Sequence, residues 1–248
     1  MPPSLTSYGA SSRGPIHRSH GVQNQDAWLR TSGKFGSLIV VCDGMGSRPE
    51  ARKGAQAACI AAHEAVVKWV KVQNAPVSLL AHLIEIFWRL RIHPISPIDA
   101  ASTCLLAFVC PSGYWVVGGI GDGLLVVKTG DDPVVQIIGE RSNNFTNETT
   151  ALGASTGIRS WNLVSLPPTP LNRLAVLATD GIADDIIPEK LDGFCNWIVD
   201  EFQNLEPAVR WRSIMSELRN WPTPKHLDDK TIAVLSAYHG QSGELICP

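Results

Sequence analysis

The sequence has no C-x-x-C pair, no polybasic run and no long uncharged apolar stretch. Each absence removes a class of function. The six cysteines (Cys42, Cys59, Cys104, Cys110, Cys195 and Cys247) are scattered, several inside apolar runs, where a free thiol behaves as a small hydrophobe. A zinc site is therefore not expected, and a reducing cytoplasm suits the pattern. Lys and Arg number 21 against 23 acids, a net charge of −2, without the clustered cations that nucleic acid or an anionic membrane demands. No run reaches the roughly 18 apolar residues of a spanning helix. The first residues, MPPSLTSYGASSRG, lack the apolar core of a secretory signal. The expectation is a cytoplasmic monomer that binds neither nucleic acid nor membrane.

What is present is a globular composition. Hydrophobic residues make up 44% and charged residues 18% of 248 positions, enough chain to bury most of its apolar surface. With no internal repeat and no linker, the expectation is one domain over 1–248.

Residues 1–20 are polar and rich in Gly, Ser and Pro, an extended lead-in or edge strand. A buried strand is expected near 37–42, and helices over 48–71 and 78–92, where apolar residues recur at helical spacing. STCLLAFVC (102–110), YWVVGGI (114–120), LLVVKTG (124–130) and VVQII (134–138) read as strands of a meander. Residues 141–157 read as a long loop. RLAVLATDG (173–181) is a buried strand, two helices follow near 189–204 and 207–220, and KTIAVLSAY (230–238) is the last strand. Paired helices and antiparallel strands suit an α+β fold in which two sheets pack together with helices outside.

One construction appears twice: an apolar strand, then Asp, then Gly, in LIVVCDG at 38–44 and LAVLATDG at 174–181. Its mirror image, DDKTIAVLS at 228–236, puts two acids before a strand. If the last strand runs antiparallel to the others, all three acidic ends share one edge. Asp26, in NQDAW, stands before the first buried strand. Taken singly, each acid is explained by turn chemistry, and Asp122-Gly123 by a hairpin. Asp43-Gly44 and Asp180-Gly181 have no returning strand behind them. Carboxylates that converge without interleaved cations repel and raise one another's pKa, and a divalent cation removes that conflict. Oxygen-only ligands point to a hard ion, Mg²⁺ or Mn²⁺, with the Gly44 carbonyl as a further oxygen.

NQDA, VVCDGMGS, GDG, LATDG and DDKTIAVL resemble, in order, the motifs of the metal-dependent protein phosphatases of the PPM (type 2C) family, in its bacterial branch. ASTCLLA at 101–107 and TALGAS at 150–155 add to the likeness, which runs from residue 24 to 236. The resemblance implies a central sandwich of two antiparallel sheets with helices on both outer faces, a four-layer αββα arrangement. It also implies a serine/threonine phosphatase that opposes a Ser/Thr kinase and hydrolyses a phosphorylated protein by attack of a hydroxide shared between two Mg²⁺ or Mn²⁺ ions. By position, Asp43 would bridge both ions, Asp180 and Asp228 would complete the shell of the first ion, and the Gly44 carbonyl would bind the second. Asp26 would hold waters, and Asp122 would stand where a third ion is sometimes bound.

The sequence departs from the family at several points. Gly21 occupies the position of a phosphate-gripping Arg, leaving Arg18, His17 and His20 as nearby substitutes, with Arg18 and His20 taken as substrate-binding candidates. Gln25 replaces a Glu, Gly123 and Leu124 replace Ser and Arg, and Met45 stands where animal relatives carry a His. A non-enzymatic regulatory module on the same fold is the main alternative. GASTG at 153–157, followed by Asp180 and His226 or His239, fits a serine esterase only if a strand precedes the Ser and a helix follows it. GGIGDG at 118–123 has the wrong spacing for a dinucleotide loop. The eight Trp read as core or rim, Trp161 being the one beside the 141–160 segment, the family's candidate lid. Arg210 and Arg212 read as a solvated helix face.

Overall fold

The long apolar runs become strands that are covered on both faces. The computed structural model describes residues 3–138, 150–154, 160–222 and 227–239. One sheet takes the order β1 (Ser4–Ser12), β10 (Lys230–Tyr238), β9 (Arg173–Ala178), β6 (Leu124–Thr129) and β7 (Val135–Ile138). The other takes β2 (Ala27–Gly33), β3 (Gly36–Cys42), β4 (Cys104–Val109), β5 (Trp115–Ile120) and β8 (Asn162–Leu166). Every neighbouring pair is antiparallel. The chain is an αββα sandwich.

Alternation along each strand assigns its side chains to layers. Leu38, Val40 and Cys42 of β3, with Leu106 and Phe108 of β4, pack under α2 (Ala51–Trp69) and α3 (Val77–Ile92). Ile39, Val41, Leu105 and Ala107 point the other way and meet Leu125, Ala175, Leu177 and Leu235 of the facing sheet. Val126, Val176 and Val234 carry α4 (Leu191–Phe202) and α5 (Pro207–Asn220) through Ile198, Phe202, Ile214 and Leu218. Burial on both faces is why these strands read as continuous apolar runs. Alanine-rich α2 helps in two ways: alanine is the best helix former, and its small side chain lets Ala55, Ala58 and Ala62 approach the sheet closely. Trp88 is fully buried in this layer and donates its Nε1–H to the Gly54 carbonyl at 3.1 Å, a core role.

Three expectations need revision. The stretch 102–138 is not one meander: β4–β5 is a hairpin in one sheet and β6–β7 a hairpin in the other. The 121–123 turn therefore crosses between sheets, so Asp122-Gly123 is not a hairpin turn. Gly121 and Gly123 both take positive φ, +107° and +110°, which only glycine adopts without strain. Second, β2 and β8 are edge strands whose half-exposed faces blur the apolar signal, and neither was legible in the sequence. Third, Arg210 is not on a solvated face: its guanidinium donates to the carbonyls of Phe202, Gln203 and Leu205 and lies 4.6 Å from the Tyr8 ring centroid. The lead-in region splits into the edge strand β1 and a short helix, α1 (Pro15–Ser19). Among the described residues no helix is long and apolar enough to cross a membrane, and Cys42, Cys59, Cys104, Cys110 and Cys195 are free thiols.

Candidate metal centre

Antiparallel register collects the acids at one end of the sandwich. β2 begins where β3 ends, Ala27 opposite Cys42, so Asp26 and Asp43 flank the same rung. β9 ends where β10 begins, Ala178 near Ile232, which brings Asp180 to Asp228 and Asp229. Leu124 also faces Ala178, so the turn carrying Asp122 arrives at the same end. A Cβ on Gly121 would lie 2.5 Å from Thr103 Cγ2, and one on Gly123 2.6 Å from the Ala178 carbonyl oxygen. The Asp122 turn is thus wedged between the neighbours of Asp43 and Asp180.

Asp43 is held from its backbone. Its N–H donates to Thr103 Oγ1 at 2.9 Å, and its carbonyl accepts from the Thr103 N–H at 2.8 Å and the Ser102 hydroxyl at 2.9 Å. The side chain is left to face its neighbours. Desolvation raises the Asp43 pKa well above the usual carboxylate range, and the charges of Asp26, Asp180 and Asp228 raise it further. The Asp180 side chain stands close enough to Asp43 to add to that rise. At Gly44, the bridge to Ser102 uses the Asp43 carbonyl and the Met45 amide, and the Gly44 N–H donates to the Gln25 carbonyl at 3.3 Å. A Cβ there would sit 2.4 Å from the Ala51 carbonyl oxygen, so only glycine lets α2 start so near the strand tip.

Asp26 is buried at the floor. Thr179 and Thr231 both donate to its Oδ2, at 2.9 and 2.6 Å. Those hydroxyls favour the ionised form, but burial outweighs them and pushes the pKa up to about 8, with Asp229 and Asp180 adding like charge. Asp229 is also buried; its carboxylate accepts from the Gly14 and Gln25 amides at 2.7 and 2.6 Å and from His17 Nδ1 at 2.8 Å. Lys230, buried beside it, donates to the Asp228 carbonyl at 3.0 Å, and desolvation lowers its pKa.

Of the site candidates, Asp26, Asp43, Asp180 and Asp228 are brought together, and the Gly44 and Asp122 backbones join them. Arg18 on α1 and His20 just after it are both exposed, with Arg18 Nε 3.4 Å from the Gly14 carbonyl. Gly21 sits in an open turn with nothing within 4 Å of a would-be Cβ. Trp161 is tied to α3 through its Nε1–H and Glu85 Oε1 at 3.1 Å, a packing role. Ser155 and His226 of the esterase reading, and most of the 141–160 segment, lie outside the described residues. All paired strands being antiparallel, the parallel sheet that a nucleophile elbow needs is not among the described residues.

Sequence reasoning missed Thr103, Thr179, Thr231, Asp229 and Lys230. The signal was a threonine near two of the acidic motifs, in LATDG and DDKT, whose hydroxyls serve as hydrogen-bond partners for the buried Asp26 carboxylate. The donor set fits divalent ions: carboxylates of one sign converge, burial and like charge raise the pKa of Asp26 and Asp43, and the charges acting on Asp43 are all acidic.

A family model described as protein phosphatase 2C matches residues 13–222. The chain belongs to the protein phosphatase 2C family. No curated protein matches it in sequence. Among solved structures, this phosphatase 2C chain resembles the catalytic domain of the serine/threonine protein phosphatase PstP, crystallised with two manganese ions: TM-score 0.63, 16% identity, 95% of this chain and 99% of that one covered. The PPM Ser-Thr phosphatase MsPP from Mycobacterium smegmatis, in complex with cacodylate, gives a TM-score of 0.62 at 19% identity over 95% and 98% of the two chains. A bacterial serine phosphatase gives 0.67 at 16% identity over 96% and 99%. At these identities the likeness is one of fold.

Proposed function

We propose that the protein is a metal-dependent serine/threonine phosphatase acting on phosphoproteins, with Asp43 at the centre of a two-ion site for Mg²⁺ or Mn²⁺. The observation that carries this reading is the convergence of Asp26, Asp43, Asp180 and Asp228 at one end of the sandwich, where Asp43 is buried under the like charge of the other three. A set of acids this close is costly to ionise, and two divalent ions offset the cost. Asp43, Asp180, Asp228 and the Gly44 carbonyl would hold them, with Asp122 near a third position. Bound there, two divalent ions supply an acidified water and screen the phosphoryl oxygens. The chain's own part is placement and proton control. Thr103 and Ser102 keep the strand tip rigid. Asp26 holds or releases a proton at Oδ1, the oxygen that Thr179 and Thr231 do not occupy. Arg18 on α1 and His20 just past its end, both exposed, stand as the side chains that would meet the substrate phosphate.

The manganese-bound PstP supports the choice of ion, and the serine/threonine phosphatases of like fold support the substrate class. The second reading, a regulatory module without turnover, rests on Gly21, whose open turn carries no side chain to grip phosphate. Hydrolysis of para-nitrophenyl phosphate and of phosphoserine and phosphothreonine peptides, with Mn²⁺, Mg²⁺ or EDTA, separates the two. Metal-dependent turnover lost in Asp43→Asn is expected. Metal binding without turnover on any of these substrates would favour the module.

A further inference from the structure

The 14–25 segment crosses the acidic end and is pinned there by one side chain. Gly14 lies so near the residues before β10 that a Cβ on it would run into the Asp228 carbonyl and stand 2.6 Å from the Leu227 carbonyl oxygen. The Ile16 N–H donates to that Leu227 carbonyl at 3.2 Å. Asp229, itself buried, takes hold of both ends of the segment. Its Oδ1 accepts from the Gly14 amide at 2.7 Å and its Oδ2 from the Gln25 amide at 2.6 Å. Between those ends, His17 Nδ1 makes a 2.8 Å contact with Oδ2. A carboxylate only accepts, so the three groups around it are all donors.

These contacts join the two sheets. Asp228 and Asp229 lead into β10, whereas Gln25 leads through Asp26 into β2, and Gly44 follows β3. The Gln25 carbonyl accepts from the Gly44 N–H at 3.3 Å, so residue 25 is held by Asp229 through its amide and by Gly44 through its carbonyl. Asp229 also donates its own N–H to Asp228 Oδ1 at 2.8 Å, which fixes that carboxylate from behind. Thr179 and Thr231 hold the Asp26 carboxyl, and Asp229 holds the backbone one residue before it. One buried acid thus touches Asp228 directly and reaches Asp26 and Gly44 through Gln25. Its own oxygens are taken by three donors, so it acts through other groups.

We propose that Asp229 is a positioning residue of the metal centre, clamping the 14–25 segment across the two sheets and so keeping Asp26 and Gly44 of one sheet in place against Asp228 of the other. This rests on the two-ion reading above and adds a residue that reading does not use. Asp229→Asn keeps the size of the side chain but leaves one acceptor oxygen beside a donating NH₂. Whichever way the amide turns, a donor at the Gly14 end or at the Gln25 end then faces another donor, and that end comes loose. The ion on the Gly44 side should suffer, and the ion on the Asp180 and Asp228 side should not.

The test counts ions, not turnover. Free Mn²⁺ is followed by electron paramagnetic resonance as it is added to the metal-free protein, well below the melting temperature of each variant. The wild type is expected to take up two ions. Asp229→Asn should hold one as the wild type does and bind the other with a dissociation constant about 10- to 100-fold higher. Gly14→Ala keeps every acid and pushes the same segment off Asp228, so it should weaken the same single ion. Both ions weakened alike, as a general loss of structure would cause, would overturn the proposal and leave the two-ion reading standing. Two ions bound normally in Asp229→Asn would do the same. A wild type that binds fewer than two ions would overturn both. Should Asp229→Asn not fold, hydrogen exchange of the wild type read by NMR decides. The Gly14 and Gln25 amides are expected to stay protected when Mg²⁺ is added. Faster exchange on loading would mean that Asp229 releases them to ligate an ion, and would overturn the positioning role.

Discussion

Thr231 Oγ1 lies 2.6 Å from Asp26 Oδ2, although 205 residues separate them in the chain. The contact crosses the sandwich, since Thr231 belongs to β10 in one sheet and Asp26 leads into β2 in the other. Thr179, at the end of β9, donates to the same oxygen, and the Thr231 amide donates to Thr179 Oγ1 at 3.1 Å. Three chain segments therefore meet on one carboxyl through neutral hydroxyls. A neutral floor lets the acids above it keep their charge for an ion.

Replacing Thr231 by Val keeps the shape and removes the hydroxyl. Asp26 loses its shortest partner, and Ser11 Oγ, 2.7 Å from the same hydroxyl, loses one as well. A buried polar group left unpaired costs about 1–3 kcal/mol, which corresponds to a melting temperature lower by about 2–12 °C. Thermal unfolding by circular dichroism reads it. An unchanged Tm would mean that the hydroxyl bridge contributes nothing.

The raised carboxyls set a pH dependence for the metal-free protein. Asp26 titrates near 8 when folded against an ordinary value of 3.8, and Asp43 is shifted in the same direction. Between those limits the folded chain keeps a proton that the unfolded chain has released. Stability contributed by the proton is complete below about 4 and is lost as pH rises toward 8. In EDTA, Tm should fall from pH 5 to pH 8, and the fall should be shallower in Asp26→Asn. With Mn²⁺ present the trend should weaken or reverse, because the ion competes with the protons. A Tm in EDTA that rises across this range would refute the assignment.

Much of this was legible because both layers of strands are buried on both faces. SLIVVC and RLAVLA could hardly be anything but inner strands, and an acid at the end of each stood out against that background. The edge strands were not legible: AWLRTSG and NLVSL are half-exposed, so their apolar pattern is weak. The sheet-to-sheet passage at Gly121–Gly123 was also hidden, since a turn between two apolar strands reads the same whether the next strand returns beside the first or crosses over. At the site, the acids were found and their supports were not. Thr103, Thr179 and Asp229 act through contacts between segments 60 to 215 residues apart, which no local spacing encodes.

Gly44→Ala tests the close approach of α2. The new Cβ would meet the Ala51 carbonyl oxygen at 2.4 Å, backbone that cannot swing aside like a side chain. The start of α2 or the strand tip must shift, at about 1–3 kcal/mol. Because Asp43 precedes it, Mn²⁺ affinity should fall along with Tm. Normal metal affinity at lowered Tm would separate the packing from the site.

Arg18 is exposed and bound only loosely to the Gly14 carbonyl, so its removal should not disturb the fold. If it meets the substrate phosphate, Arg18→Ala raises KM for para-nitrophenyl phosphate about threefold to tenfold, the size of one charge-assisted contact at a wet site, and leaves kcat nearly unchanged. His20→Ala should act in the same direction and more weakly. A lowered kcat at constant KM would assign these residues to the chemical step; no change in either would remove them from the site.

Asp43→Asn separates the role of the acid from the integrity of the fold. In wild type without metal, Asp43 is opposed by Asp26, Asp180 and Asp228. An amide at that place removes one of the repelling groups and can still accept or donate a hydrogen bond to Asp180. The metal-free variant should therefore melt at or above the wild-type temperature at pH 8. Saturating Mn²⁺ then distinguishes them: an ion at 100 times its dissociation constant stabilises wild type by about 2.7 kcal/mol, or about 5–11 °C. The variant, lacking the carboxylate placed between both ions, should gain little. Equal stabilisation of the two proteins would show that the ions are held elsewhere, and Asp43 would then end its strand as a turn residue.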